Sequence, residues 1–455
     1  MQKICAVLLL TAVCLPAAAA ESISKVLPCG KIGIVGGLGA GTDLTRHVVD
    51  NDLFPEAICN DGTPAVFYYG AFSKPEDRDK WIIFLQGGGD CFDGQSCGER
   101  WCSIDSNYGY DKMSTSASKA QIRGVGFLNP GPENNFGSWN RVLIYYCSSD
   151  TWTGTATRVV TASQGNITRE FEIHFKGSRI IDAVLDTLRN SGPSVRRRVA
   201  RHSAGDADES ATSSPWPDLD SATQVMFAGS SAGGEGARLN LDRVATRLRN
   251  TNPSLIIRGV IDAVYSTQGE TRDWTHTTLC EKDPARGCSY ESVTKASREA
   301  IEIGLRGARY DDSCMNWHAL HAPGTEWRCS DGEHVNMHHL STPFFNRQDL
   351  LDEQIGGSFV ETGFGDFSTY AQRVESEFRN PPIPEEARGA TPGFFAPQCT
   401  DHESFTNDDR VFRTKLAGIS WHDAVWNWWT GAQPQQAIRH YTGTPTRAPE
   451  CPPAN

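Results

Sequence analysis

The sequence predicts an α/β fold built on a mostly parallel sheet covered by helices on both faces, and three observations carry that expectation. Short apolar runs recur along the chain, helical patterns lie between them, and a glycine-flanked serine sits where one run gives way to a helix. The runs 65–69, 81–85, 142–146, 225–228 and 255–261 are rich in β-branched and aromatic residues and read as buried strands. Residues 179–188 and 237–248 place their apolar side chains at helical spacing. Strands that alternate with helices in this way form parallel sheets.

The serine lies in Gly229-Ser230-Ser231-Ala232-Gly233, directly after the run 225–228. A strand that turns sharply into a helix at G-x-S-x-G exposes the serine hydroxyl above a sheet, and only small flanking residues fit such a turn. Ser231 is therefore the candidate nucleophile. A hydroxyl needs a base to take its proton, and the base needs a carboxylate to orient it. On this fold the order along the chain is serine, acid, histidine, which leaves His318, His321, His334, His338, His339, His402, His422 and His440 as possible bases. Spacing does not choose among them. A second requirement is a set of N–H donors for the negative charge that develops on the carbonyl oxygen. Gly87-Gly88-Gly89-Asp90 leaves the predicted strand 81–85 and has the composition of such a loop.

Residues 1–20 combine Lys3, an apolar stretch and a run of alanines before Glu21, the pattern of a cleavable export signal. The formal charge of −12 becomes −13 when Lys3 is lost with it. Such an acidic chain is a poor nucleic-acid ligand, and no later stretch has the length and hydropathy to span a membrane. Removing the signal also removes Cys5 and Cys14 of the 14 cysteines, and an even number in an exported chain predicts disulfides. Sequence alone leaves their pairing open. His334 and His338 have i,i+4 spacing but lack the H-E-x-x-H pattern, so no metal and no cofactor is expected. Residues 190–221, with an arginine cluster followed by Ser, Thr, Pro and acidic residues, read as a mobile insertion within a single domain 21–455. The tryptophans Trp421, Trp428 and Trp429 share a helix face with Val425 and read as core.

Several ordered blocks together resemble the pectin acetylesterase/Notum family of α/β-hydrolase-like serine esterases. They are Trp81 to Gly89 with Cys91 and Cys97; Trp139-Asn140-Arg141-Val142 through Cys147 to Gly154; Phe175 to Ile180; Gly229 to Gly236; Thr342-Pro343-Phe344-Phe345 leading to Asp352; and Gly393 through Cys399 to His402. The resemblance implies Ser231 as nucleophile, Asp352 as acid and His402 as base, with backbone N–H groups of Gly89, Asp90 and Ala232 facing the oxyanion. Asp262, which ends the run 255–261, and Asp349 compete for the role of the acid. The family usually has Trp where this chain has Asp90, so the expectation is either an acidic wall that disfavours long acyl chains and repels galacturonate, or an Asp90 that points to solvent or is held by a neighbouring arginine. The implied activity is deacylation of a polysaccharide such as pectin by an exported monomer without cofactor. The alternatives are hydrolysis of lipidic or protein-linked acyl esters, and an inactive glycan-binding protein on the same fold.

Overall fold

The computed structural model describes residues 38–103, 109–116, 118–189, 215–267, 285, 288, 290–361, 365–381 and 392–453. Fourteen strands occur among them: β1 Ala40–Val48, β2 Val66–Gly70, β3 Lys80–Leu85, β4 Gln121–Ile122, β5 Asn140–Ile144, β6 Thr157–Gln164, β7 Ile167–His174, β8 Gln224–Ser230, β9 Ile256–Asp262, β10 Phe344–Arg347, β11 Gly393–Ala396, β12 Lys415–Leu416, β13 Ile419–Ser420 and β14 Ala437–Ile438. Ten form one sheet in the order β14-β11-β10-β9-β8-β3-β5-β2-β1-β4. Every pairing from β14 to β5 is parallel, and β2, β1 and β4 continue the sheet antiparallel. The fold is α/β-hydrolase-like, and each strand expected from sequence lies in it within a residue or two.

Residues 258 and 259 of β9 show how both faces are covered. Neighbouring strand residues point to opposite sides. Arg258 donates to the carbonyls of Trp428 and Trp429 at 3.0 and 2.9 Å, while the open side of Gly259 is filled by Leu241. Helix Trp421–Thr430 therefore lies against one face and helix Ala232–Arg249 against the other. Trp421, Trp428 and Trp429 are buried, as their spacing predicts.

The sequence reading missed β1, whose side chains are only partly covered, and the β6–β7 hairpin, which pairs apart from the main sheet. The expected insertion is also too long at its C-terminal end. Trp216 is buried, with its ring 5.0 Å from that of His47 and 5.6 Å from those of Phe67 and Tyr69. Apolar contact holds residues 215–221 to the core; residues 190–214 lie outside the described residues, as do the signal segment 1–20, Cys29 and Cys280.

Disulfides join Cys59–Cys147, Cys91–Cys97, Cys314–Cys329 and Cys399–Cys451, and Cys102 and Cys288 are disulfide-bonded too. The Cys399–Cys451 bridge spans 52 residues and fastens the C-terminal segment beside the loop that follows β11. A cross-link of that span removes about 4 kcal/mol of chain entropy from the unfolded state. Replacing both cysteines by serine should lower unfolding stability by about 2–4 kcal/mol in denaturant titrations.

Candidate active site

Parallel strands bring residues that are distant in sequence to one edge, because all their carboxyl ends point the same way. The glycine loop follows β3, Ser231 follows β8, Asp262 ends β9, Asp352 follows β10 and His402 follows β11. All the expected site residues thus gather at one rim of the sheet.

Ser231 connects β8 directly to helix Ala232–Arg249 and has φ 53° and ψ −126°, a conformation that non-glycine residues seldom adopt. Its N–H donates to the Asp262 carbonyl at 2.9 Å, which holds the turn. Glycine is required on both sides: a Cβ at Gly229 would collide with the Gly233 carbonyl, and one at Gly233 with the Leu85 carbonyl of β3. As the first residue of its helix, Ala232 has an N–H without an intrahelical acceptor. Gly89 has φ 61°, and the N–H groups of Gly89 and Asp90 make no backbone hydrogen bond among the described residues. These are the donors expected to face an oxyanion.

Asp352 is fully buried and accepts from the backbone of Gln354 and Ile355 at 2.9 and 3.0 Å and from Gln348 Nε2 at 2.9 Å. His402 Nδ1 lies 2.9 and 3.1 Å from its two oxygens. The carboxylate thereby keeps a proton on Nδ1 and leaves Nε2 as the basic nitrogen. That Nε2 is buried and has no hydrogen-bond partner among the described residues, so the Ser231 hydroxyl does not bond to it in this structure. Burial pulls the His402 imidazole down, but the carboxylates around it, Asp352 first and then Glu403 and Asp262, together outweigh it, and the net direction is upward from the ordinary 6.5.

Both competing acids are engaged elsewhere. Asp262 Oδ2 accepts from Ser230 Oγ at 2.6 Å, Ser404 N at 2.7 Å and Phe405 N at 2.9 Å, and Oδ1 accepts from Arg347 at 3.2 Å. Asp349 pairs with Arg347 at 2.6 Å, and burial pushes its carboxyl up to about 8. His422 accepts from the Asn135 N–H at 3.0 Å, and His440 pairs with Glu375 at the surface.

Of the expectations for Asp90, the structure contains the carboxylate held by an arginine, in a wall where carboxylates still outnumber guanidinium groups. The Asp90 carboxylate forms an ion pair with the buried Arg306, which also bonds Glu302 at 2.9 Å and the Cys91 carbonyl at 3.0 Å. Its charge is met by a guanidinium that lies 216 residues further along the chain, a separation at which sequence gives no sign of pairing.

A cavity of about 440 Å³ opens beside Ser231. Its wall includes Gly89, Asp90 and Ala232, the apolar side chains of Leu239, Val264, Ile355 and Phe359, and two ion-pair groups whose arginines are buried while Asp90 is exposed. In one, Arg306 joins Asp90 and Glu302; in the other, Arg238 joins Glu235 and Glu333, with Glu333 pushed up to about 7, chiefly by burial. Apart from Asp90, these charged residues escaped the sequence reading, although the helical spacings Glu235/Arg238 and Glu302/Arg306 were visible signals. Glu403, with φ 54°, was missed as well; its carboxyl packs against Gly87 at the root of the glycine loop.

The pectinacetylesterase family model matches residues 40–198. The Drosophila melanogaster palmitoleoyl-protein carboxylesterase NOTUM is 32% identical over 403 residues, 86% of this chain and 49% of its own length. The human palmitoleoyl-protein carboxylesterase NOTUM is 28% identical over 375 residues, 79% of this chain and 61% of its own length. A crystal structure of the Wnt deacylase Notum from Drosophila superposes with a TM-score of 0.60 at 26% identity, covering 86% of this chain and 93% of that one. The family model, the curated relatives and the solved structure together support the pectin acetylesterase/Notum family for this chain. It spans between about half and just under two thirds of the length of the curated relatives it matches.

Two expectations follow for this chain. Ser231→Ala and His402→Ala should each lower kcat for a nitrophenyl ester by several orders of magnitude with folding intact, and the double variant should be hardly worse, because a triad acts as a unit. Serine-directed labelling confined to Ser231 checks the nucleophile, and its absence from oxidised wild-type protein would favour a binding role. The base must also be neutral to accept a proton. Since the folded-state shift of His402 is upward, kcat/KM should fall with decreasing pH through an inflection above 6.5, and Asp352→Asn should move any residual inflection down.

Proposed function

We propose that the chain is a serine carboxylic ester hydrolase. One observation carries this reading: at the carboxyl rim of the parallel strands, a serine in a strained strand–helix turn, a histidine held by a buried carboxylate and three backbone N–H groups without a backbone acceptor among the described residues occur together. Ser231 Oγ attacks the ester carbonyl while His402 Nε2 takes its proton. The N–H groups of Gly89, Asp90 and Ala232 receive the oxyanion, and the imidazolium then protonates the departing alcohol. Water, activated by the same imidazole, hydrolyses the acyl-enzyme. The disulfides fit an exported protein, and no helix among the described residues is long and apolar enough to cross a membrane.

The cavity lining supports a short acyl group on a polar alcohol such as a carbohydrate hydroxyl. Buried ion pairs are costly to strip of their polar surroundings, so a long hydrocarbon chain laid across Arg238, Arg306 and their carboxylates would gain little of the roughly 0.8 kcal/mol that each buried methylene contributes in an apolar channel. A fatty acyl ester on a protein is the second reading, favoured by the names of the curated relatives. A chain-length series from acetate to palmitate decides between them. Short acyl specificity predicts kcat/KM falling steadily beyond butyrate, together with acetate release from acetylated polysaccharide; a rise towards palmitate would overturn it.

A further inference from the structure

A cluster of histidines lies behind the cavity wall, away from the triad. His318 belongs to helix Asp312–His321, His334 to helix Gly332–His338, and His339 caps the latter helix. Their Nε2 atoms converge: His318 to His334 is 2.9 Å and His339 to His334 is 3.1 Å. We propose that His318, His334 and His339 form a binding site for one divalent late first-row transition metal ion, of which zinc is the representative.

The hydrogen positions support a donor set for a cation. The Thr325 hydroxyl donates to the Ala322 carbonyl at 2.6 Å, so it accepts at 2.6 Å from His318, whose proton must then sit on Nδ1. The His318 Nε2 lone pair is thereby turned towards the other two rings. A tautomer fixed by a partner at the far ring nitrogen is the usual arrangement of a ligating histidine. Without a metal, the three nitrogens can share a single proton on His334 Nε2. An ion about 2.0–2.1 Å from each would replace that proton and hold the nitrogens about 3.3 Å apart, a small expansion from the present spacing.

The surroundings narrow the choice of ion. Cys314 Sγ lies within 4.8 Å of these nitrogens, but its disulfide to Cys329 removes it as a thiolate and ties helix Asp312–His321 to the segment before His334. Three neutral imidazoles with solvent in the fourth position suit zinc, copper or nickel and are a poor match for calcium or magnesium. The half-exposed Trp317 packs against His318, His321 and His339, covering the cluster. Glu326 and Asp331 act favourably on the cluster, and Arg328 acts against it. Because Glu333 immediately precedes His334 and bonds Arg238 at 2.9 Å, a bound ion would also pin the helix that supplies this part of the cavity wall.

The test uses tag-free, oxidised, chelator-stripped protein titrated with Co²⁺ and then Zn²⁺. The expected result is one ion per chain, with visible cobalt bands of a low-coordinate site that zinc abolishes. His334→Gln and His339→Gln should each weaken binding by more than about 100-fold, beyond the 10–100-fold typical when an outer-shell partner is lost. His321→Ala, whose Nδ1 bonds only the Trp317 carbonyl among the described residues, should leave it unchanged. X-ray absorption of the zinc-loaded wild type should count three imidazole nitrogens, which keeps the proposal falsifiable if either variant misfolds. No stoichiometric binding by folded wild type, unchanged binding in both glutamine variants, or fewer than three imidazoles would overturn it.

Discussion

Asp262 is where the separate parts of the site are tied together. Its carbonyl holds the Ser231 N–H, one carboxylate oxygen receives Ser230 and the two N–H groups that follow the His402 loop, and the other receives Arg347. A single buried side chain thus fixes the nucleophile turn, the start of the segment after the base and a guanidinium in the layer beneath. Geometry of this kind matters for acyl transfer, because misplacing a reacting group by an ångström removes much of the advantage of holding it at all. The residue that looked like a rival acid is a brace that ties the Ser231 turn to the segment following His402.

The second theme is charge buried in opposed sets. Arg238 and Arg306 each sit between two carboxylates in the cavity wall, and Arg347 sits between Asp262 and Asp349 below the rim. Ion pairs of this sort add little net stability over apolar packing, but losing one member leaves an uncompensated charge and costs about 3–5 kcal/mol. Their effect here is to make the wall rigid and polar at once. Shape and dielectric of the cavity are then set by groups that never need to touch the reacting bond.

Legibility in the sequence followed physical range. Buried parallel strands are continuous apolar runs, and β3, β5, β8 and β9 were readable because nothing but burial dictates their composition. The Ser231 turn was readable because its sterics demand glycines at fixed offsets. Asp352 and His402 were reached through resemblance, since eight histidines satisfied the order rule and only the structure shows which of them meets a fully buried carboxylate at the rim of the sheet. The Arg306 partner of Asp90, the four donors to Asp262 and the convergence of His318 with His334 and His339 all depend on contacts between separate elements, and no local pattern encodes them. His338, the residue that the i,i+4 spacing singled out, is not among the three that converge.

The Asp90–Arg306 pair also constrains how this cavity can diverge. A tryptophan introduced at position 90 alone would strip a buried guanidinium of one of its two carboxylates, and an apolar residue introduced at 306 alone would leave Asp90 facing the cavity as an unpaired anion. Either single step breaks the pair, and losing the guanidinium at 306 also takes Glu302 from its 2.9 Å partner and leaves it Arg298 at 3.8 Å. The coupling therefore extends over three positions, and a lineage that moves between a tryptophan-bearing and an aspartate-bearing glycine loop must accommodate Asp90, Glu302 and Arg306 together across more than two hundred positions of chain.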